Sequence, residues 1–64
     1  MKVQGKAIGA GDVLWTSGGR RFRVSDWSSA PGPRQVFGYI VFDDDTESGY
    51  CGKHPADLFW EPQS

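Results

Sequence analysis

The chain has 64 residues, which is room for a single domain with one thin hydrophobic core. Seven Lys and Arg residues stand against eight Asp and Glu residues, and the formal net charge of -1 excludes an overall positive field that would draw the molecule to nucleic acid or to an anionic membrane. The single cysteine excludes an intramolecular disulfide framework, and an aromatic content of 14% is too high for a disordered linker. We therefore expect a folded domain in which any nucleic-acid binding is local.

The first eleven residues contain three glycines and only scattered apolar residues. They predict a flexible N-terminal arm over 1–11, followed by the folded domain over 12–62. No apolar stretch reaches the length of a signal peptide or of a membrane span. We expect a cytoplasmic protein that does not contact a membrane.

Residues 13–16 and 20–27 predict an antiparallel hairpin, because Ser17, Gly18 and Gly19 between them suit a tight turn. Side chains alternate between the faces of a strand, so Phe22 and Val24 are expected to face the core. Arg21 and Arg23 then lie on the opposite face.

A loop is predicted over 28–34, where two prolines and a glycine interrupt any ladder of hydrogen bonds. The following strand, 35–42, is apolar on both faces and contains Gly38, which suits a bent central strand. One face places Val36, Ile40 and Phe42 together, and the other places Phe37, Tyr39 and Val41 together. The second face needs cover from a partner, from neighbouring aromatic residues or from another copy of the chain, so a homo-oligomer is possible.

Residues 43–48 predict a polar turn, and Gly49 leads into a return strand through Tyr50 and Cys51. Residues 54–58 predict a single helical turn with Pro55 at its first position, and 59–61 predict a short last strand. Together these elements indicate an all-β fold, a small five-stranded SH3-like barrel with a short helical turn before the last strand.

Several short sequence elements resemble those of the YodC-like family of small bacterial proteins, which is similar in turn to barrels of the KOW and Tudor types. The elements are Gly11-Asp12-Val13, Ser17-Gly18-Gly19, Val24, Phe42-Asp43, and Pro55 with Leu58. The chain differs from that family in carrying Tyr39 to Val41 where a cysteine and a tryptophan are common. The resemblance implies the barrel fold and no particular activity.

The chain has more large aromatic side chains than so small a core can enclose, so some are expected at the surface, where Trp and Tyr commonly anchor protein interfaces. We therefore predict a protein-binding module that acts by occlusion or tethering, such as a small accessory or regulatory protein. The candidate anchors are Trp15, Trp27, Tyr39 and Trp60, and the candidate charges at the rim are Arg21, Arg23 and Asp44.

The alternative is a nucleic-acid-binding module of the KOW type. Arginine binds phosphate and aromatic rings stack on unpaired bases, so a basic patch beside a tryptophan has suitable chemistry. The residues of this patch are Arg20, Arg21, Arg23, Trp27 and Arg34. The acidic run 43–45 in the same small domain argues against it.

The sequence carries no pattern for catalysis or for a metal, and we predict no cofactor. The spacing of the acidic residues 43–47 does not match a calcium loop. Cys51 and His54 lack the second ligand pair that zinc requires and the orienting group that a nucleophilic cysteine requires. The pairs Gly11-Asp12, Ser17-Gly18 and His54-Pro55 loosely resemble the type II dihydrofolate reductases, but the chain lacks the Val-Gln-Ile-Tyr segment that lines their pore. We therefore expect a protein that is not an enzyme.

Overall fold

The largest element is a five-stranded antiparallel sheet built from two successive hairpins and a short last strand. The computed structural model describes residues 1–28, 32 and 34–63. The strands are β1 (Lys2–Val3), β2 (Lys6–Ala7), β3 (Val13–Thr16), β4 (Arg21–Trp27), β5 (Val36–Val41), β6 (Glu47–Lys53) and β7 (Leu58–Phe59). Strands β1 and β2 form a separate two-stranded sheet, and the larger sheet has the order β6-β5-β4-β3-β7.

The all-β prediction is confirmed, and each strand of the larger sheet lies where the sequence predicts one. The ends of β3, β4, β5 and β7 agree within one or two residues, but β6 begins at Glu47, inside the predicted turn over 43–48. The sheet is open, because its edge strands β6 and β7 do not pair with each other in the described part of the chain. The structure therefore shows a small β-rich domain rather than a closed barrel.

The inner face of the sheet forms the core. Phe22 and Val24 of β4 are fully buried there, as the alternation along that strand predicts. The other members of the core cluster are Val3, Ile8, Leu14, Val36 and Leu58. All are aliphatic, so the core is closed by small branched side chains around one phenyl ring.

The prediction of a loosely held arm over 1–11 is wrong. Strands β1 and β2 form a hairpin through a turn at Gln4 and Gly5, whose φ angles of 52° and 78° are those of a tight hairpin turn. The hairpin places Val3 in the core with no exposed surface, and the Trp60 indole N–H donates to the Val3 carbonyl oxygen at 2.9 Å. The two strands are only two residues long, too short to give a periodic signal in the sequence.

Gly38 of β5 lies against the backbone of Arg23 in β4. A Cβ atom at this position would collide with the carbonyl oxygen of Arg23 and press on the ring of Phe22. Only glycine therefore fits at this position.

A single 3₁₀ turn, Pro55–Asp57, leads into β7, as the sequence predicts. His54 caps this turn, since its Nδ1 accepts a hydrogen bond from the Ala56 N–H at 3.2 Å. Strand β7 then pairs with β3, which brings Leu58 opposite Thr16 and Phe59 opposite Trp15.

The predicted loop over 28–34 includes Ser29, Ala30, Pro31 and Pro33, which lie outside the described residues. The described part of the chain contains no helix long and apolar enough to cross a membrane.

Candidate interaction face

The outer face of the larger sheet carries rings and charges in rows that run across the strands. One row contains Phe59, Trp15, Arg21, Val41 and Glu47, as the strand registers pair them. The next row contains Val13, Arg23, Tyr39 and Tyr50, and the third contains Asp26, Phe37 and Gly52. We call these residues the outer face.

Arg23 is held at the centre of the outer face by a carboxylate and a ring. Its Nε and one terminal nitrogen donate to the two carboxylate oxygens of Glu47, both at 2.8 Å. Its guanidinium also lies over the Tyr39 ring, 5.1 Å from the ring centre. These two hydrogen bonds, donated by Arg23 and accepted by Glu47, lower the pKa of the Glu47 carboxyl and raise the pKa of Arg23.

Arg21 is bound in a similar way one row away. A terminal nitrogen of its guanidinium donates to the Phe42 carbonyl oxygen at 2.8 Å and to an Asp45 carboxylate oxygen at 3.0 Å. Both outer-face arginines are therefore neutralised within the chain. They join β4 to the turn and strand that follow β5.

Three aromatic rings lie next to each other on β5 and β6. The Tyr39 and Tyr50 rings meet edge to face with centres 5.3 Å apart, and the Phe37 and Tyr50 rings are nearly parallel with centres 6.1 Å apart. The Tyr50 hydroxyl donates to an Asp26 carboxylate oxygen at 2.7 Å, and this bond raises the pKa of Tyr50. The cluster fixes the rings in position without removing them from solvent.

Solvent reaches this face to a degree unusual for large apolar side chains. Tyr50 is 51% exposed and Val13 is 44% exposed. Among the residues that the structure describes, these two are the large hydrophobic residues that are exposed. Trp15, Phe37 and Tyr39 are half-buried. The outer face thus offers rigid rings at its surface, bordered by ion pairs.

Two β-bulges decide which residues reach the outer face. The pairing of β4 with β5 shifts at Ser25, between Val24 and Asp26. The pairing of β5 with β6 shifts at Gly49, whose φ of 60° suits a bulge residue. The first bulge turns Asp26 outward, and the second turns Tyr50 outward, so the hydrogen bond between them depends on both.

The residues predicted for protein binding divide between the two faces. Trp15, Arg21, Arg23 and Tyr39 lie together on the outer face. Trp27 lies opposite Val36 because of the Ser25 bulge and packs partly against the core. Trp60 also packs against the core, with the Lys6 ammonium 4.5 Å from its ring centre. The structure does not bring these two tryptophans to the outer face.

Asp44, predicted as a rim charge, instead closes the turn between β5 and β6. Its carboxylate accepts hydrogen bonds from the Thr46 hydroxyl at 2.6 Å and from the Thr46 N–H at 3.2 Å. These bonds lower the pKa of Asp44. The residue is exposed and lies beside the outer face rather than within it.

The residues of the predicted nucleic-acid patch do not form one surface. Arg21 and Arg23 are bound to Asp45 and Glu47, and the Arg20 guanidinium lies 5.5 Å from the Phe42 ring centre. Arg34 lines a separate cavity of about 170 Å³ together with Met1, Trp27 and Ser28. The prediction of a patch that joins Trp27 to Arg21 and Arg23 is therefore wrong, because the Ser25 bulge places the Trp27 indole on the other side of the sheet.

Eight residues of the outer face were not among the predicted binding residues: Val13, Asp26, Phe37, Val41, Glu47, Tyr50, Gly52 and Phe59. Glu47 and Asp26 lie in stretches that predict a turn or the end of a strand. The sequence signal that could have identified Phe37 is the alternation along β5, which places Phe37 on the same face as Tyr39. The residues on neighbouring strands can be identified only when the register of each strand pair is known.

Cys51 and His54 take separate structural positions in the fold. Cys51 is half-buried against the core, and His54 caps the 3₁₀ turn. Within residues 1–28, 32 and 34–63, no three His, Cys, Asp or Glu side chains are grouped as metal ligands would be. Comparison of the chain with protein-family models, with curated proteins and with solved structures found no match.

Proposed function

We propose that the protein is a non-catalytic binding module that docks another protein on the outer face and acts by occlusion or tethering. The observation that supports this most strongly is the pairing of charges beside exposed rings. Arg21 and Arg23 have carboxylate partners within the chain, while Tyr50 and Val13 remain open to solvent.

The internal ion pairs favour a partner surface of protein over a nucleic acid. To bind phosphate, Arg23 would have to leave a bidentate carboxylate, and the phosphate would approach Glu47 and Asp26. Nucleic-acid affinity comes mainly from cations that are available to phosphate, so this exchange gains little. A protein surface can cover the same pairs without leaving a buried charge unpaired.

The rings have the properties that interface anchors need. Aromatic side chains bring a large contact area with few rotatable bonds, and a ring fixed by its neighbours loses little entropy on binding. Tyr39 and Tyr50 are fixed in this way by each other, by Arg23 and by Asp26. The rings would supply affinity, and the ion pairs at their edge would set the orientation of the partner.

We also propose that the fold is a variant of the SH3-like barrel. The support is the number of strands in the larger sheet, the 3₁₀ turn before β7 and the return of β7 to β3. The resemblance to the YodC-like family stays a prediction.

The function is tested by capture of host proteins with three forms of the chain. Wild type is compared with a double variant of the outer face, Val13→Ser with Tyr39→Ser, and with a control, Lys2→Ser with Asp57→Ser, in which both residues are exposed. Circular dichroism melting first establishes that each form is folded. We expect the same protein to be retained by wild type and control, with at least tenfold less on the outer-face variant.

A salt titration separates the protein-binding function from the nucleic-acid alternative. We expect short single-stranded DNA and RNA to show no saturable binding to the protein at low salt. Saturable binding that weakens steeply as salt is added, and that is lost in the variant Arg20→Gln with Arg34→Gln, would instead support a nucleic-acid module. Equal retention by all three forms in the capture experiment would contradict docking on the outer face.

A further inference from the structure

Strand β6 forms one edge of the larger sheet, and its outward backbone N–H and C=O groups face no described strand. It has seven residues, whereas the other edge strand, β7, has two. Backbone groups at such an edge are satisfied by adding another extended strand. The occupant of this edge is therefore an extended piece of backbone.

The regular part of the β6 edge is short and has defined ends. At one end, Gly49 has a φ of 60° and forms the bulge, which interrupts regular pairing. At the other end, Pro55 begins the 3₁₀ turn and has no backbone N–H to donate. Only residues 50–53 offer a regular ladder, so the matching strand is equally short.

The alternation of side chains along this segment suits pairing with a second copy of itself. Tyr50 and Gly52 point to the outer face, as their partners Tyr39 and Phe37 do, and Cys51 lies opposite the buried Gly38. Antiparallel pairing about Cys51 sets Tyr50 of one copy opposite Gly52 of the other. Both residues lie on the outer face, and the Tyr50 ring has room there because Gly52 has no side chain.

The charges along β6 also favour a second copy. The strand begins at Glu47, just after an acidic turn with the exposed residues Asp43 and Asp44, and it ends at Lys53. Antiparallel pairing turns the acidic turn of each copy toward the end of the other copy that carries Lys53. A strand from an unrelated protein would need the same order of charges. A second copy of this chain has that order because its sequence is identical.

We propose that two copies of the chain associate by antiparallel pairing of β6 about a two-fold axis at Cys51. The pairing closes on itself, because each copy uses its one long edge and β7 is too short to continue the sheet. The dimer leaves Trp15 and Tyr39 uncovered and sets the two outer faces side by side. It is thus a second interface, separate from the proposed docking of another protein.

Sedimentation equilibrium from micromolar to millimolar protein tests the association, and oxidation tests the register. We expect a reversible monomer–dimer equilibrium. Residues directly opposite in an antiparallel pair are close enough for a disulfide, so diamide should convert the dimer to a covalent one, with two thiols losing two electrons and two protons to the diamide. The matched control is Cys51→Ser with Ser17→Cys, whose thiol lies in the β3–β4 turn and should cross-link poorly.

Charge reversal tests the antiparallel orientation. We expect Lys53→Glu to weaken dimerisation by roughly threefold to tenfold at low salt, and Lys2→Glu, on the N-terminal hairpin, to leave it unchanged. The outer-face variant Val13→Ser with Tyr39→Ser should dimerise as wild type does, so this test is independent of the docking function. A monomer at millimolar concentration, a dimer that Cys51 does not cross-link, or equal weakening by the two lysine variants would overturn the proposal.

Discussion

The two faces of one sheet contrast sharply. On the inner face, Phe22 and Val24 have no exposed surface and belong to the hydrophobic core cluster. On the outer face, Arg23 of the same strand and Tyr39 of the neighbouring strand remain half-exposed, held by an ion pair and a ring contact. The inner face is therefore built to exclude water, and the outer face is built to hold its side chains in fixed positions while they remain accessible.

The inner face therefore determines the stability of the domain, and the outer face is available for recognition. The folding stability of so small a domain is low. At the usual value per residue, a chain of this length has on the order of 3–10 kcal/mol of folding stability. Substitutions on the inner face should lower the free energy of unfolding by a large part of this amount. Substitutions on the outer face should mainly change what the protein binds.

The largest effect is expected from Phe22→Ala, which removes the one ring of the core. Phe-to-Ala replacements in cores cost about 3–5 kcal/mol, so this variant should lose a large part of its folding stability. Tyr39→Ala, on the neighbouring strand but facing outward, should lose less than half as much. Urea denaturation followed by circular dichroism makes the comparison, and equal losses would show that the outer face is part of the core.

The next effect concerns Gly38, which lies on the inner face under the backbone of β4. Gly38→Ala forces a methyl group against the Arg23 carbonyl oxygen and should cost roughly 2–3 kcal/mol, because the two strands have to separate. Gly18→Ala is the matched control, since the nearest atom to its Cβ is Thr16 Oγ1 at 3.8 Å. A Gly38→Ala variant as stable as the Gly18→Ala variant would contradict the close approach of β4 and β5.

A smaller effect should follow from Trp60→Phe, which keeps a ring at the edge of the core but removes the N–H donated to Val3. Losing one hydrogen bond of this kind costs about 1 kcal/mol. Thermal melting measures the change, and amide exchange over residues 2–7 should quicken with it. No change in either would mean that the N-terminal hairpin does not depend on this bond.

The smallest effect is a pH dependence on the outer face. Arg23 lowers the pKa of Glu47 in the folded state, so the stabilisation is present above the pKa of an unfolded glutamate and is lost as pH falls through the lower folded pKa. Glu47→Gln should thus be slightly less stable than wild type at neutral pH and equal to it in acid. Melting curves at both pH values test this, and a difference that grows in acid would contradict the pairing.

Much of the sheet could be predicted from the sequence, because its signals are local. The turn at 17–19, the alternation through Phe22 and Val24 and the proline before β7 each depend on a few neighbouring residues. The N-terminal hairpin could not be predicted, since two-residue strands have no period and Val3 is buried by contacts with distant parts of the chain.

The candidate site was predicted in part, and the error at Trp27 has a specific physical cause. Alternation through β4 places Trp27 beside Arg23, but the Ser25 bulge adds one residue and exchanges the faces beyond it. The same shift brings Asp26 outward to meet Tyr50. A bulge depends on pairing between strands, which a single strand's sequence does not specify.

Hydroxyl-radical footprinting of the tryptophan and tyrosine side chains, in the protein alone and with its captured partner bound, tests the central claim most directly. The proposed function predicts that the partner protects Trp15 and Tyr39, which lie on the outer face. It also predicts unchanged oxidation of Trp27 and Trp60, which pack against the core. Protection of Trp27 and Trp60 with Trp15 and Tyr39 unprotected would contradict it.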